Sequence, residues 1–470
     1  MKRRDFLKIV SVGSISLTLP GSLSVLKGRK QKPNVIVILV DDLGWRDTGF
    51  MGSKYYETPN IDKLADQGIV FTDAYSNAPN CAPTRACLLT GQYSPRHGIY
   101  TVGTSARGPS RLRRLIPVPN KRILSPKAIT IAEVLKQTGY ATASIGKWHL
   151  GNDPETGPEA QGFDINIGGN RSGHPKSYFS PYKNRNLKDG PKGEYLTDRL
   201  TDEAIKFIVA NKDNPFFLYL PHYAVHTPLQ AKKEIIEKYR KKKGNQVQNN
   251  PVYAAMIESV DMSVGRIMNK LDELGLTENT VVFFFSDNGG NGRVTSNEPL
   301  RGSKGMLYEG GIRVPMIVRW PGKVKPGTLC DTPVIGTDFY PTILEITGAE
   351  PPVNHIIDGE SLIPLFLQKR KLKRKAIFWH FPAYLEAYRG MKGAWRTTPA
   401  AAIRQGNWKL MEFFEDGKLE LYNLKEDIGE KNNLVDKMPE KVKELHSIML
   451  EWRKNINAPV PIQRNPEYKK

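Results

Sequence analysis

The chain reads as an α/β protein: a mostly parallel sheet sandwiched by helices, followed by a smaller α+β part. Three features lead there. Apolar runs rich in Val, Ile and Phe, such as "NVIVILV" (34–40) and "TVVFFFS" (280–286), have the pattern of strands buried on both faces. Amphipathic stretches of helical spacing separate one run from the next. Four of the runs also end in polar residues, at the edge where open parallel sheets bind ligands.

Taken in order, "KRRDFLKIVSVGSISLTLPG" joins Arg3-Arg4 and Phe6-Leu7-Lys8 to a short apolar run ending at Pro20. This is the form of a twin-arginine export signal, so residues 1–30 are set apart from the fold. The mature chain is then expected in the periplasm or outside the cell, delivered by the twin-arginine machinery. The strand 34–40 ends in Asp41-Asp42. "TPNIDKLADQGIVF" follows as a helix, with Pro59 near its start, Ile61, Leu64 and Ala65 on one side, and Gly68 as C-cap. Helix 130–138 closes at Gly139, and a strand through "ATASIG" ends in Lys147-Trp148-His149. "DEAIKFIVAN" is a helix, and "PFFLYLPHYAVHTP" a strand with His222 and His226 just past its end. The long amphipathic "AAMIESVDMSVGRIMNKLDELGL" leads into the strand ending at Asp287-Asn288. After "GTDFYPTILEITG", a return to helix, the run "KRKLKRK" (369–375) reads as a linker or solvated edge. The main domain is drawn over 31–372 and the smaller one over 373–470. The latter holds a two-stranded hairpin turning near Asp416-Gly417, then a final amphipathic helix.

The 470 residues, 39% hydrophobic and 25% charged, suit a globular protein with a large core. A net charge of +21 favours a polyanionic partner (nucleic acid, an anionic membrane surface or an acidic polysaccharide) unless it only aids solubility. No zinc-finger or RNA-binding signature supports the first of these. Past the N-terminal segment no apolar run reaches membrane-spanning length. Three cysteines, Cys81, Cys87 and Cys330, cannot build a disulfide framework. Cys81 and Cys87 on one helix stand about 9 Å apart in rise, too far to bridge.

The chemistry gathers at the strand ends. Asp41, Asp42, Asp287 and Asn288 offer hard oxygen ligands, which suit Ca²⁺ or Mg²⁺. Arg85, Lys147, His149, His226 and Lys304 surround them with cationic or titratable groups, so the ligand expected is a tetrahedral oxyanion, phosphate or sulfate. His222, without such neighbours, is expected to be structural. Cys81, with Pro83 in the first turn behind it, stands near a helix N-terminus, where a thiolate would be stabilised. A thiolate is nevertheless a poor match for a hard cation among carboxylates, which hints that the mature side chain is not a thiol.

"CAPTRACLLTG" resembles the Cys-x-Pro-x-Arg…Leu-Thr-Gly sequence of the type I sulfatases, in the alkaline phosphatase superfamily. The resemblance extends through "VDDLGW", "GKWHLG", "HTP", "SDNGG", the "KGMLYEGGIRVP" loop and "LYNL". It implies an alkaline-phosphatase-like fold and oxidation of Cys81 to formylglycine by a formylglycine-generating or anaerobic sulfatase-maturating enzyme. It also implies Ca²⁺, rather than Mg²⁺, held by Asp41, Asp42, Asp287, Asn288 and the modified Cys81. In that scheme Arg85 and Lys147 stabilise the formylglycine hydrate and the sulfate. His226 or Lys304 protonates the leaving alcohol, and His149 accepts the proton that lets the enzyme-bound ester collapse. Ala82 and Cys87 fall at positions that vary in the family, and Cys87 is expected to be a small buried residue. In "GGNRSGHPKSYFSPY" (168–182), Ser172, His174, Ser177 and Tyr178 are candidates for contacting substrate. This stretch and "GFDINIGG" resemble bacterial sulfatases acting on sulfated galactose or N-acetylgalactosamine.

The expected activity is therefore removal of sulfate from a sulfated carbohydrate, with "RGPSRLRRLIPVPNKR" (107–122) either facing the polyanion beside the site or forming a solvated loop. Two other readings stand beside it: a phosphodiester or phosphonate ester hydrolase with the same fold, and a non-catalytic polyanion-binding protein whose Cys81 stays unmodified.

Overall fold

The computed structural model describes residues 32–469, apart from Gln246 and Arg370; the export-signal segment lies outside them. The run "NVIVILV" is β1 (Asn34–Val40), and every residue in it is buried. Its side chains divide by alternation. Ile36, Ile38 and Val40 enter one core, while Val35, Val37 and Leu39 enter the other. A strand with apolar residues on both faces can only lie between two helical layers.

β1 is central in an eight-stranded sheet with β2 (Ile69–Phe71), β4 (Ala141–Ile145), β5 (Ile165–Ile167), β6 (Phe216–Pro221), β7 (Thr280–Ser286), β8 (Met316–Arg319) and β9 (Thr328–Cys330). The order is β5-β4-β6-β1-β7-β8-β2-β9, with β8 the one strand running against its neighbours. The short β3 (Ala74–Tyr75) pairs with β10 (Val334–Ile335) beside it. One face is covered by α1 (Pro59–Asp66), α5 (Leu196–Ala210), α6 (Lys233–Lys241) and α7 (Pro251–Glu273). The other carries α2 (Cys81–Thr90), α4 (Ile131–Gln137), α9 (Phe339–Thr347) and α10 (Ile363–Phe366). Two single-turn helices, α3 (Ser94–His97) and α8 (Glu309–Ile312), also occur in this part. Among the described residues no helix is long and apolar enough to cross a membrane.

Local sequence explains most boundaries. Pro59 opens α1, whose Ile61, Leu64 and Ala65 are buried. Thr130 and Glu133 form a capping box on α4, and Gly139 (φ +86°) follows its end. Gly68, expected as the cap of α1, is not left-handed; Gln67 occupies the C-cap position. Gly68 is required by crowding instead, since a Cβ there would lie 2.5 Å from the Val318 carbonyl oxygen of β8.

The C-terminal part has the expected antiparallel sheet and helix, but the sheet is larger than a hairpin. Its sheet has four antiparallel strands, ordered β11 (Ala376–Phe381), β14 (Ala400–Gln405), β15 (Trp408–Phe413), β16 (Leu419–Asn423). A second turn, at Gly406 (φ +57°), splits what reads as one continuous stretch, and β11 joins from across a long loop. That loop holds a small ribbon, β12 (Leu385–Glu386) with β13 (Trp395–Thr397). The outer face of the four-stranded sheet receives α11 (Pro439–Asn455) through Leu445 and Met449. The inner face packs Ile377, Trp379 and Met411 against Tyr75, Leu307, Ile312 and Ile335. The basic run before β11 is not wholly solvated either: Arg374 pairs with the buried Asp338 and donates to the Pro333 carbonyl.

Candidate active site

β4, β6, β1 and β7 are adjacent and parallel, so their carboxyl ends bring Lys147, His226, Asp41/Asp42 and Asp287/Asn288 to one edge. α2 begins at the same place, with Cys81 as its first residue and Asn80 as N-cap. All ten residues of α2 are buried, which holds Arg85, one turn along, beneath the site. Asp42 (φ 63°) and His149 (φ 65°) both adopt the left-handed region, at a cost on the order of 1–3 kcal/mol each that the surrounding structure must sustain.

Each carboxylate has a cation. Lys147 Nζ lies 2.5 Å from Asp41 Oδ2, and Lys304 Nζ lies 2.6 Å from Asp42 Oδ1. Arg85 donates to Asp287 Oδ2 through Nε at 2.9 Å and Nη2 at 2.7 Å, and through Nη1 to the Lys147 carbonyl at 2.7 Å. Three carboxylates thus face three cations. Yet three buried oxygens, Asp41 Oδ1, Asp42 Oδ2 and Asn288 Oδ1, have no hydrogen-bond partner among the described residues. Ligand atoms of Asp41, Asp42, Cys81 and His226 also lie within 4.8 Å of one another. Convergent unpartnered oxygens of this kind fit a hard divalent cation. Added to a charge-balanced site, such an ion leaves two positive charges to attract an oxyanion.

Burial and the nearby Asp287 push the Asp41 carboxyl up to about 7, whereas Asp42 is held low by Lys304 and His226 against its own burial. Burial drives His149 well below its ordinary range, helped by Lys147 and Arg85, and lowers His226 to about 3 with help from Lys304. His226 Nδ1 donates to the Thr227 carbonyl at 2.7 Å, so the neutral ring presents an unprotonated Nε2. Burial works against the thiolate that a helix N-terminus would favour at Cys81. Burial pushes that thiol up to about 12, and Lys147 and Lys304 offset this only in part. At 1% exposure, Cys81 keeps its proton and is a weak nucleophile as a thiol. Cys87 is buried on the same helix beside Ser94 Oγ and His97 Nε2, and all three cysteines are free. His222 is buried at Ser263, away from these groups.

The four candidates of the 168–182 stretch have separate places. His174 lines the roughly 490 Å³ cavity above Cys81, its ring stacked 6.2 Å from that of His226. Ser172 lies in a small neighbouring depression, and the Ser177 hydroxyl donates to the Phe179 carbonyl in a local turn. The Tyr178 hydroxyl donates to the carbonyls of Tyr223 and His226, fixing the loop that carries His226. Several residues that line the cavity carry no sequence signal: Asn291, Arg293, Glu386, Tyr388 and Arg396. Arg107, from the basic 107–122 stretch, does reach it, while Arg114, Leu115 and Ile116 of that stretch bond to the C-terminal part at Glu415, Tyr384 and Gln463.

The sulfatase family model matches residues 33–349, and the model of the N-sulphoglucosamine sulphohydrolase C-terminal region matches 302–455. The chain therefore belongs to the sulfatase family: it is a sulfuric ester hydrolase of the alkaline phosphatase superfamily. It is 34% identical to a sulfatase of Formosa agariphila over 98% of this chain and 95% of that one. It is 33% identical to N-acetylgalactosamine-6-sulfatase of Homo sapiens over 78% of this chain and 72% of that one. Among solved structures it resembles Ps i-CgsB in complex with k-i-k-neocarrahexaose, with a TM-score of 0.74, 33% identity, and 90% and 93% of the two chains covered.

Proposed function

We propose that this sulfatase removes sulfate from a sulfated saccharide, using a formylglycine made from Cys81 and a Ca²⁺ ion held by Asp41, Asp42, Asp287 and Asn288. The observation that carries the proposal is the set of buried unpartnered oxygens of Asp41, Asp42 and Asn288 around a cysteine that burial keeps protonated. Relatives named for sulfated saccharides, N-acetylgalactosamine-6-sulfatase and the neocarrahexaose complex, support the substrate class. Within it, a galactose or N-acetylgalactosamine sulfate is the favoured substrate.

When in place, the metal and the formylglycine supply a Lewis acid and an oxygen nucleophile for attack on sulfur. The chain's own groups do the rest. Arg85 and Lys147 are locked by Asp287 and Asp41, so their charge faces the site without reorganising during reaction. Lys304 is charged and lines the cavity above Cys81, with Nζ 3.4 Å from Cys81 Sγ, and is the group we assign to give a proton to the departing sugar oxygen. His226, neutral and with Nε2 unprotonated, is less suited to that task. His149, neutral and with Nδ1 unpartnered among the described residues, is suited to accept a proton at that atom. Maturation requires a formylglycine-generating or anaerobic maturating enzyme, and the Arg3-Arg4 segment supports twin-arginine export to the periplasm or beyond.

The test is turnover of a panel of 6-, 4- and 2-sulfated galactose and N-acetylgalactosamine saccharides by protein from a host that matures sulfatases. Sulfate release from at least one is expected. Hydrolysis of aryl phosphodiesters in preference to every sulfate ester would overturn the proposal.

A further inference from the structure

The cavity above Cys81 carries more positive charge than attack at sulfur uses. Besides Lys304 it is lined by three arginines from three separate segments: Arg107, Arg293 after β7, and Arg396 on β13. Arg107 is ion-paired with Glu386. Arg293 and Arg396 instead share an aromatic ring, their guanidinium carbons lying 4.9 and 4.1 Å from the centre of Tyr388. The Nε of Arg396 is buried with no hydrogen-bond partner among the described residues.

This stack is mounted on the catalytic loop. The Tyr388 hydroxyl donates to the Lys304 carbonyl at 3.0 Å. Gly305 (φ +90°) lets Arg396 settle on the same loop, since a Cβ there would lie 2.8 Å from Nε of that arginine. Arg293 and Tyr388 also line a second cavity of about 1070 Å³, so the stack is a wall shared by the two spaces. Two guanidiniums over one ring repel each other, and the ring quadrupole offsets only part of this. An anion reaching these guanidiniums from the cavity offsets that repulsion, because planar arginine donors suit sulfate and carboxylate oxygens.

We infer that Arg293 and Arg396, stacked on Tyr388, form a second anion subsite. It takes a sulfate or carboxylate on the sugar next to the one being desulfated, so the substrate is an oligo- or polysaccharide with at least two anionic groups. This rests on the saccharide reading above and names the substrate class more narrowly.

The test compares kcat/KM on three matched disaccharides: one sulfate only, a second sulfate on the neighbouring sugar, and a uronic acid in its place. The wild-type enzyme is expected to prefer a two-anion substrate about tenfold or more, through KM. The larger gain identifies the anion. Arg396→Ala and the exposed Arg293→Ala should each collapse that ratio by about tenfold, and Arg396→Lys should restore part of it. Melting curves confirm that the variants are folded. Equal rates on one- and two-anion substrates, or variants that lower all three equally, overturn this inference alone. Turnover of 4-nitrophenyl sulfate with none of any saccharide overturns the saccharide reading and this one with it.

Discussion

Lys304 is where position and chemistry can be separated most cleanly, because it touches both Asp42 and Cys81. A proton donor matters in proportion to how poorly the alcohol leaves. Lys304→Ala is therefore expected to lower kcat on a sugar sulfate by about 10²-fold or more, yet to cost far less on 4-nitrophenyl sulfate, whose leaving group needs no proton. Equal losses on both substrates would place Lys304 in binding or metal positioning instead. Asn288 makes a different prediction. Its Nδ2 donates to Asp42 Oδ1 at 2.8 Å, while Oδ1 is one of the unpartnered oxygens. Asn288→Ala should raise the Ca²⁺ concentration needed for half-maximal thermal protection by about tenfold, and chelation should lower the melting temperature of the wild type. A melting temperature indifferent to chelator and Ca²⁺ would contradict a metal at these oxygens.

The C-terminal sheet is tied to the catalytic loop through buried charge. Lys409 of β15 is fully buried and lies 2.9 Å from Glu309 and 2.8 Å from Glu430. Burial raises Glu430 to about 7 even with Lys409 beside it, so removing the lysine strands two acids. Lys409→Ala should cost about 3–5 kcal/mol in urea unfolding, where exposed lysines such as Lys454 should cost almost nothing. The sequence shows an antiparallel sheet and helix here, but neither this cluster nor the sheet's full set of four strands. The partners are distant in sequence, and the 400–423 stretch hides a turn at Gly406 among polar and apolar residues that alternate on both sides. By contrast β1, β6 and β7 were plain because burial on both faces leaves a continuous apolar run. Their polar ends were readable for the same reason, since charge can follow such a run only at its exit. The Arg293–Tyr388–Arg396 stack was invisible, being assembled from two loops that no periodicity marks. Crowding, not capping, requires Gly68; Gly68→Ala should cost about 1–3 kcal/mol through the clash at Val318, with no change in cap geometry.

Stability of the entire protein should also record its buried histidines. Burial holds His222 and His380 at about 4, so between that value and the unfolded 6.5 the native state binds fewer protons than the unfolded chain. Their contribution is then fully present above pH 6.5 and lost as pH falls toward 4, on the order of 1–2 kcal/mol each by pH 5. The urea midpoint of a His380→Phe variant should therefore rise relative to that of the wild type as pH is lowered from 7.5 to 4.5. In the proposed scheme, the balanced set of three acids and three bases becomes attractive to sulfate once a divalent ion is bound. That account stands on the fate of Cys81, whose buried thiol is a poor nucleophile and a poor ligand for a hard ion. Mass spectrometry of the peptide containing Cys81, from protein purified active from its own cells, should find the aldehyde or its hydrate in place of the thiol. Fully active enzyme carrying only unmodified cysteine at that position would contradict it.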